Sequence, residues 1–212
     1  MSSSQGQGGR LIAICGIDGS GNSSHAEETV KVFRSKGTRI ACEHFFQNPM
    51  VSFLSGMKRK TGISKKEETV TYSPEFEKHV KRHLLPKMRA YLVFLDNLFY
   101  VGLKTLWHKL RGEWVIADRF FYDYFLRSKL LGYNVRGLEG IYSRLFPKYG
   151  VTLDVDPQIA YERRREHPVW YYVKAREEYL KIAEKHKYPI FVTDRPFQEV
   201  QEEINKYFEG IK

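Results

Sequence analysis

One short segment constrains this chain more than any other: Gly16-Ile17-Asp18-Gly19-Ser20-Gly21-Asn22-Ser23-Ser24. It follows the apolar run Leu11 to Cys15 and leads into Ser23 to Lys36, whose pattern predicts a helix stopped by Gly37. A glycine-rich turn between a buried strand and a helix lets backbone N–H groups converge on one point, and the helix start adds partial positive charge. Against the pattern G-x-x-x-x-G-K-[ST], residues Gly16, Gly21 and Ser23 fall in register. The segment therefore predicts phosphate binding by Gly16, Gly19, Ser20, Gly21, Asn22, Ser23 and Ser24, with the Ser23 hydroxyl offered to Mg2+. The lysine position holds Asn22, a neutral dipole where a full positive charge is usual. Phosphoryl transfer depends on electrostatic stabilisation of its transition state, so binding is predicted more directly than transfer.

The rest of the chain alternates strand and helix. Thr38 to Phe45, Trp114 to Ala117, Val151 to Val155 and Ile190 to Thr193 read as further strands. Between and after them, helices are expected over Glu75 to Leu110 (broken or kinked at Pro86), Phe120 to Leu131, Leu138 to Phe146, Trp170 to His186 and Pro196 to Phe208, with Pro157 at a helix start. Gly56 to Lys66 is a basic loop. Alternation of this kind predicts an α/β fold with a parallel sheet covered on both faces. Ligands in such sheets bind beyond the carboxyl ends of the strands, where the polar clusters 16–24, 43–48 and 118–119 fall.

The 212 residues suit one domain over 10–212 behind a flexible Ser/Gly/Gln-rich tail at 1–9. The net charge of +10 calls for an anionic partner without naming it, and keeps a nucleic-acid-binding module among the alternatives. No recognised nucleic-acid motif accompanies that charge, which makes nucleic acid the least favoured partner. Cys15 and Cys42 make no disulfide framework and read as buried thiols of a reducing, cytoplasmic protein. The most apolar stretch, Tyr91 to Leu103, carries Asp96 and Asn97 and is too short to span a bilayer. His79 and His83 are spaced to share a helix face but lack a third ligand, so no zinc site is expected.

Several motifs agree across residues 10–208. The loop Gly16 to Gly21 follows a strand; Val115-Ile116-Ala117-Asp118-Arg119-Phe120 follows another; Asp154-Val155-Asp156-Pro157 precedes Arg163; and Tyr179-Leu180 lies on a late helix before the final strand. In these features the chain resembles the thymidylate kinase family of P-loop nucleoside monophosphate kinases. The resemblance implies a five-stranded parallel sheet in the order 2-3-1-4-5, ATP and Mg2+ as cofactors, and transfer of the γ-phosphoryl group to a nucleoside monophosphate, dTMP by default. It implies that Asp18 lies near the acceptor sugar hydroxyl, that Arg119 reaches the acceptor phosphate, and that Phe94 stacks on the base. Asp118 would organise Mg2+ with Ser23, and Arg163, Arg164 and Arg165 would open a short lid over ATP near 163–172. Gly19 stands where some members carry a loop arginine, and the lid arginines suit the members that lack it. Asn48 and Leu98 stand where arginines are usual, with Lys58, Arg59 or Lys60 as substitutes. A homodimer is implied as well. The second reading, carried by Asn22, Asn48 and Leu98, is a nucleotide-binding protein with little or no transfer.

Overall fold

A computed structural model of the chain describes residues 9–45, 84–120, 126, 129–130 and 138–211. Asn48, the 56–66 loop with Lys58, Arg59 and Lys60, the helix expected over 75–83 with His79 and His83, and most of 120–131 lie outside the described residues. The strands are β1 (Leu11–Gly16), β2 (Ile40–His44), β3 (Trp114–Asp118), β4 (Tyr149–Asp154) and β5 (Ile190–Val192). The helices are α1 (Asn22–Ser35), α2 (Leu84–Leu110), α3 (Leu138–Arg144), α4 (Pro157–Arg164), α5 (Val169–His186) and α6 (Phe197–Glu209).

The five strands are all parallel and run in the order β2-β3-β1-β4-β5, the order that the resemblance implied. The central strands β1, β3 and β4 are buried on both faces, and alternate residues serve different layers. Ile12 and Ile14 of β1 face α1 and α6, joining Ala26, Val30, Phe33, Val200, Ile204 and Phe208. Ala13 and Cys15 face the other way, with Ala117 of β3. On that face the strands present small side chains, and α5 fills the space with the bulky Tyr172, Tyr179 and Ile182. Gly150 on β4 is part of the same fit: a Cβ there would lie 2.7 Å from the Tyr188 ring. The two carboxylate oxygens of Asp154, at the end of β4, accept from Arg176 Nε and Nη2 of α5 at 2.6 and 2.7 Å, a bidentate clamp between helix and sheet.

The element boundaries depart from expectation in local ways. Helix α1 starts at Asn22 rather than Ser23, because Gly21 takes a left-handed conformation at its N-cap. Helix α2 runs on from Leu84 through Pro86 to Leu110, so the break expected at Pro86 does not occur within the described helix. Helix α3 stops at Arg144, two residues short of Phe146, with Pro147 just beyond. Helix α4 begins at Pro157 as expected, capped by the Asp156 carboxylate, which accepts from Gln158 N–H at 2.8 Å.

Among the described residues no helix is long and apolar enough to cross a membrane. Neither cysteine is in a disulfide: Cys15 is buried and Cys42 half-buried. Burial foremost, then the nearby charge of Asp118, pushes the Cys42 thiol up to about 11, so it is protonated and unreactive at neutral pH.

Candidate functional site

The glycine-rich loop after β1 depends on two left-handed glycines, Gly19 (φ 87°) and Gly21 (φ 91°). At Gly19 a Cβ would also lie 2.9 Å from the Ala160 carbonyl oxygen of α4, so the loop passes directly against that helix. Asn22 is buried, and its amide turns inward. Nδ2 donates to Gly16 O at 2.9 Å, and Oδ1 accepts from Ser20 Oγ at 3.2 Å. Both ends of the amide are spent on the loop itself. Where a lysine would reach out with a charge, this chain has an internal brace.

Positive charge reaches the loop from α4 instead. Arg163 donates through Nη1 to Gly19 O at 2.9 Å and through Nη2 to Thr193 O at 3.3 Å, which fixes its guanidinium beside the loop. Arg163, Arg164 and Arg119 line one cleft with Gly19, Gly21, Asn22, Ser23 and Ser24. Arg165 goes elsewhere: it is the left-handed C-cap of α4 (φ 51°), with its N–H on Tyr161 O, and turns the chain towards α5.

Asp118 ends β3 beside the loop, paired in register with Ile14 of β1. Its carboxylate is buried; Oδ2 accepts from His44 Nδ1 at 3.1 Å, and Oδ1 has no hydrogen-bond partner. A buried carboxylate oxygen without a partner is costly unless a cation or water completes it. A carboxylate oxygen is a donor of the hard kind that suits Mg2+.

Arg119 follows at φ 55°, a conformation that a residue with a Cβ rarely adopts. The strained turn brings its guanidinium onto Asp18 as an ion pair. These two residues line a second cleft with Glu166, His167, Tyr171 and Tyr179. Sequence reasoning placed Glu166, His167 and Tyr171 only within the short lid near 163–172, and Tyr179 only on the late helix. They reach the cleft because the corner at Arg165 folds the start of α5 back over β1, and a left-handed arginine leaves no mark in a sequence. His44 was equally missed as the partner of Asp118, although it lies in the flagged cluster 43–48. Phe94 is buried in the core cluster with Phe45 and Phe120.

The loop is supported from behind by His25 of α1. Its ring stacks on Phe197 at 4.3 Å between centroids, and Nδ1 lies 2.7 Å from Gln201 Oε1. Gln201 Nε2 donates to Thr29 Oγ1 and Asn205 Oδ1, so Oε1 is the acceptor and His25 carries its proton on Nδ1. Burial lowers the His25 pKa from 6.5, with the Gln201 bond opposing in part. The unfolded chain therefore takes up the proton first. Stability from the neutral ring is whole above about pH 6.5 and is lost as pH falls towards the folded pKa. Urea unfolding should show a lower midpoint at about pH 5.5 than at about pH 7.5, and His25→Gln should reduce that difference.

No protein-family model matches the chain. Curated proteins do match, at low identity and nearly full length. A thymidylate kinase of Carboxydothermus hydrogenoformans is 20% identical over 224 residues, covering 96% of this chain and 98% of the relative. A probable thymidylate kinase of Archaeoglobus fulgidus is 25% identical over 213 residues, with 95% of each chain covered. Another, of Methanothermobacter thermautotrophicus, is 27% identical over 206 residues and covers 92% of each. Along more than nine-tenths of its length, and in the sheet order and loop described above, the chain is similar to thymidylate kinases from bacteria and archaea.

Proposed function

We propose that the chain is an ATP-dependent nucleoside monophosphate kinase, with dTMP as the acceptor that the names of its relatives nominate. One observation carries this reading. Two clefts of different character meet at a single guanidinium, since Arg119 lines both. The loop cleft offers backbone N–H groups and the Arg163 and Arg164 guanidiniums, which suits a polyphosphate. The second cleft offers aromatic walls, a carboxylate pair and Arg119, which suits a nucleoside with one phosphate.

In this reading ATP lies with its phosphates on the loop from Gly16 to Ser24. Arg163 and Arg164 neutralise the transferring group in place of the absent lysine. Arg119 holds the acceptor phosphate in line, and Asp18 orients both Arg119 and the sugar. The acceptor phosphate oxygen is already a nucleophile, so no strong base is needed. Ser23 and Asp118 would hold Mg2+, which when bound neutralises charge on the phosphate oxygens. The corner at 165–168 acts as a short lid within one domain over 10–212. Closure there limits hydrolysis by excluding water. Two cysteines outside any disulfide fit the reducing cytoplasm.

We also infer a homodimer formed through α2. Leu92, Leu95, Phe99, Leu103, Leu106 and Leu110 are exposed at three- and four-residue spacing along it. Sedimentation velocity tests this, and a monomer at micromolar concentration removes it.

A coupled assay with ATP, Mg2+ and a panel of monophosphates tests the kinase reading. Turnover with at least one acceptor is expected. Asn22→Lys should raise it by about tenfold, because one added charge at the transferring phosphates is worth on the order of 1.4 kcal/mol. ATP binding without turnover on any acceptor supports instead a nucleotide-binding protein without transfer. The inward-turned amide of Asn22 favours that second reading.

A further inference from the structure

One short segment touches both clefts. Arg163 and Arg164 line the loop cleft, while Glu166 and His167 line the second. Between the two pairs stands Arg165, the left-handed residue that ends α4. A single residue at the end of an element is where a backbone hinges. Arg163 is anchored to Gly19 O and Thr193 O, so a turn at Arg165 would move the residues after it and leave Arg163 in place.

Tyr172 of α5 lies against this segment. Its side chain is fully buried, and its ring packs edge-on against those of Tyr161 on α4 and Tyr171. Its hydroxyl has no hydrogen-bond partner. Burial, above all, raises the Tyr172 pKa, and the backbone N–H groups of Glu166 and His167 oppose that rise. Those two donors therefore face the hydroxyl oxygen, but neither reaches it in hydrogen-bond geometry. A buried hydroxyl left this way weakens the fold, and a small approach of the donors would end the cost. The ring is enclosed and has no room to move, whereas the Glu166 side chain is about half exposed. The approach falls to the corner.

We infer that Tyr172 is a positioning residue: when a nucleotide fills either cleft, the 165–168 corner turns about Arg165 and settles on the Tyr172 hydroxyl, which then accepts from Glu166 or His167 N–H. Each ligand has its own hold on the corner. A polyphosphate drawing on Arg164 frees Glu166 from their 3.7 Å contact, and a ligand in the second cleft meets Glu166 and His167 directly. Tyr172 itself lines neither cleft and acts only through the corner. The inference rests on the proposed reading of the two clefts as donor and acceptor sites, and adds the residue that sets the lid between them.

Tyr172→Phe keeps the ring and removes the hydroxyl. Calorimetric titration of the full chain with β,γ-imido-ATP and Mg2+, and separately with dTMP, requires no phosphoryl transfer. Each should bind the variant about fivefold more weakly, the effect of one net hydrogen bond made only on closing. Without ligand, the variant should unfold at the same or a higher temperature, because the hydroxyl it lacks had no partner. Lower affinity with undiminished stability is a pairing that a merely structural tyrosine would not give. Affinities within about twofold of the unchanged protein overturn the inference and leave the kinase reading standing. So does a weakening confined to one of the two ligands, or a lower unfolding temperature, which would mean that the hydroxyl is bonded before any ligand arrives. If the unchanged protein fails to bind one or both ligands, the two-cleft reading falls, and this inference with it.

Discussion

Arg119→Ala is expected to lower kcat/KM for the acceptor by about 10³, while ATP affinity falls by less than about tenfold. Arg119 is the one described residue common to both clefts, and it carries the only guanidinium fork among the described residues that line the second cleft. Arg119→Lys keeps the charge but loses the fork, and should recover only a small part of the loss. The same position carries a second expectation, about stability. Arg119 is left-handed at φ 55°, which costs a residue with a Cβ about 1 kcal/mol relative to glycine. Arg119→Gly should therefore be as inactive as Arg119→Ala yet more stable than it by about 1 kcal/mol in urea unfolding. A glycine variant no more stable than the alanine variant would mean that the turn is not strained. An alanine variant with near-normal kcat/KM would remove Arg119 from the acceptor site.

Asp118→Asn should lower kcat by about 10² or more and leave the fold at least as stable. The carboxylate is buried, with Oδ2 on His44 and Oδ1 without a partner. In the absence of a ligand such a group weakens the fold, and it persists where function needs it. An amide at this position still accepts from His44 through its oxygen but presents no negative charge to Mg2+. The expected signature is a large loss of kcat together with an unchanged or raised unfolding midpoint. A large loss of stability instead would give Asp118 a structural role and take it out of the proposed metal site.

The parallel sheet was legible because its five strands read as short apolar runs alternating with helices, while the order of the strands came from the resemblance. The loop was legible because glycines at fixed spacing have few other uses between a strand and a helix. Asn22 was legible only as the absence of a charge. That its amide braces Gly16 and Ser20 depends on the curvature of the folded loop, which spacing alone does not specify. Glu166 and His167 were hidden for a different reason. They fall in the segment read as a short lid over ATP, and only the left-handed turn at Arg165 carries them to a loop almost 150 residues earlier in the chain. Arg165 matched its two neighbours in type but not in place. The net charge of +10 gave no help in locating the site, because the arginines that matter are chosen by backbone geometry and not by local density.

The bidentate clamp between Arg176 and Asp154 bears on how this protein selects what enters. It rivets the middle of α5 to the sheet, and Tyr171 and Tyr179 on that helix form a wall of the second cleft. That wall is a stationary gauge. A molecule too thick for the gap meets aromatic rings that cannot retreat without prising a helix from the sheet. On the proposed reading, selection by thickness would precede any reading of polar groups, and adjustment would fall to parts of the cleft other than that wall. Loosening the rivet with Arg176→Ala would be expected to widen the range of bases accepted before it alters the chemistry performed on them.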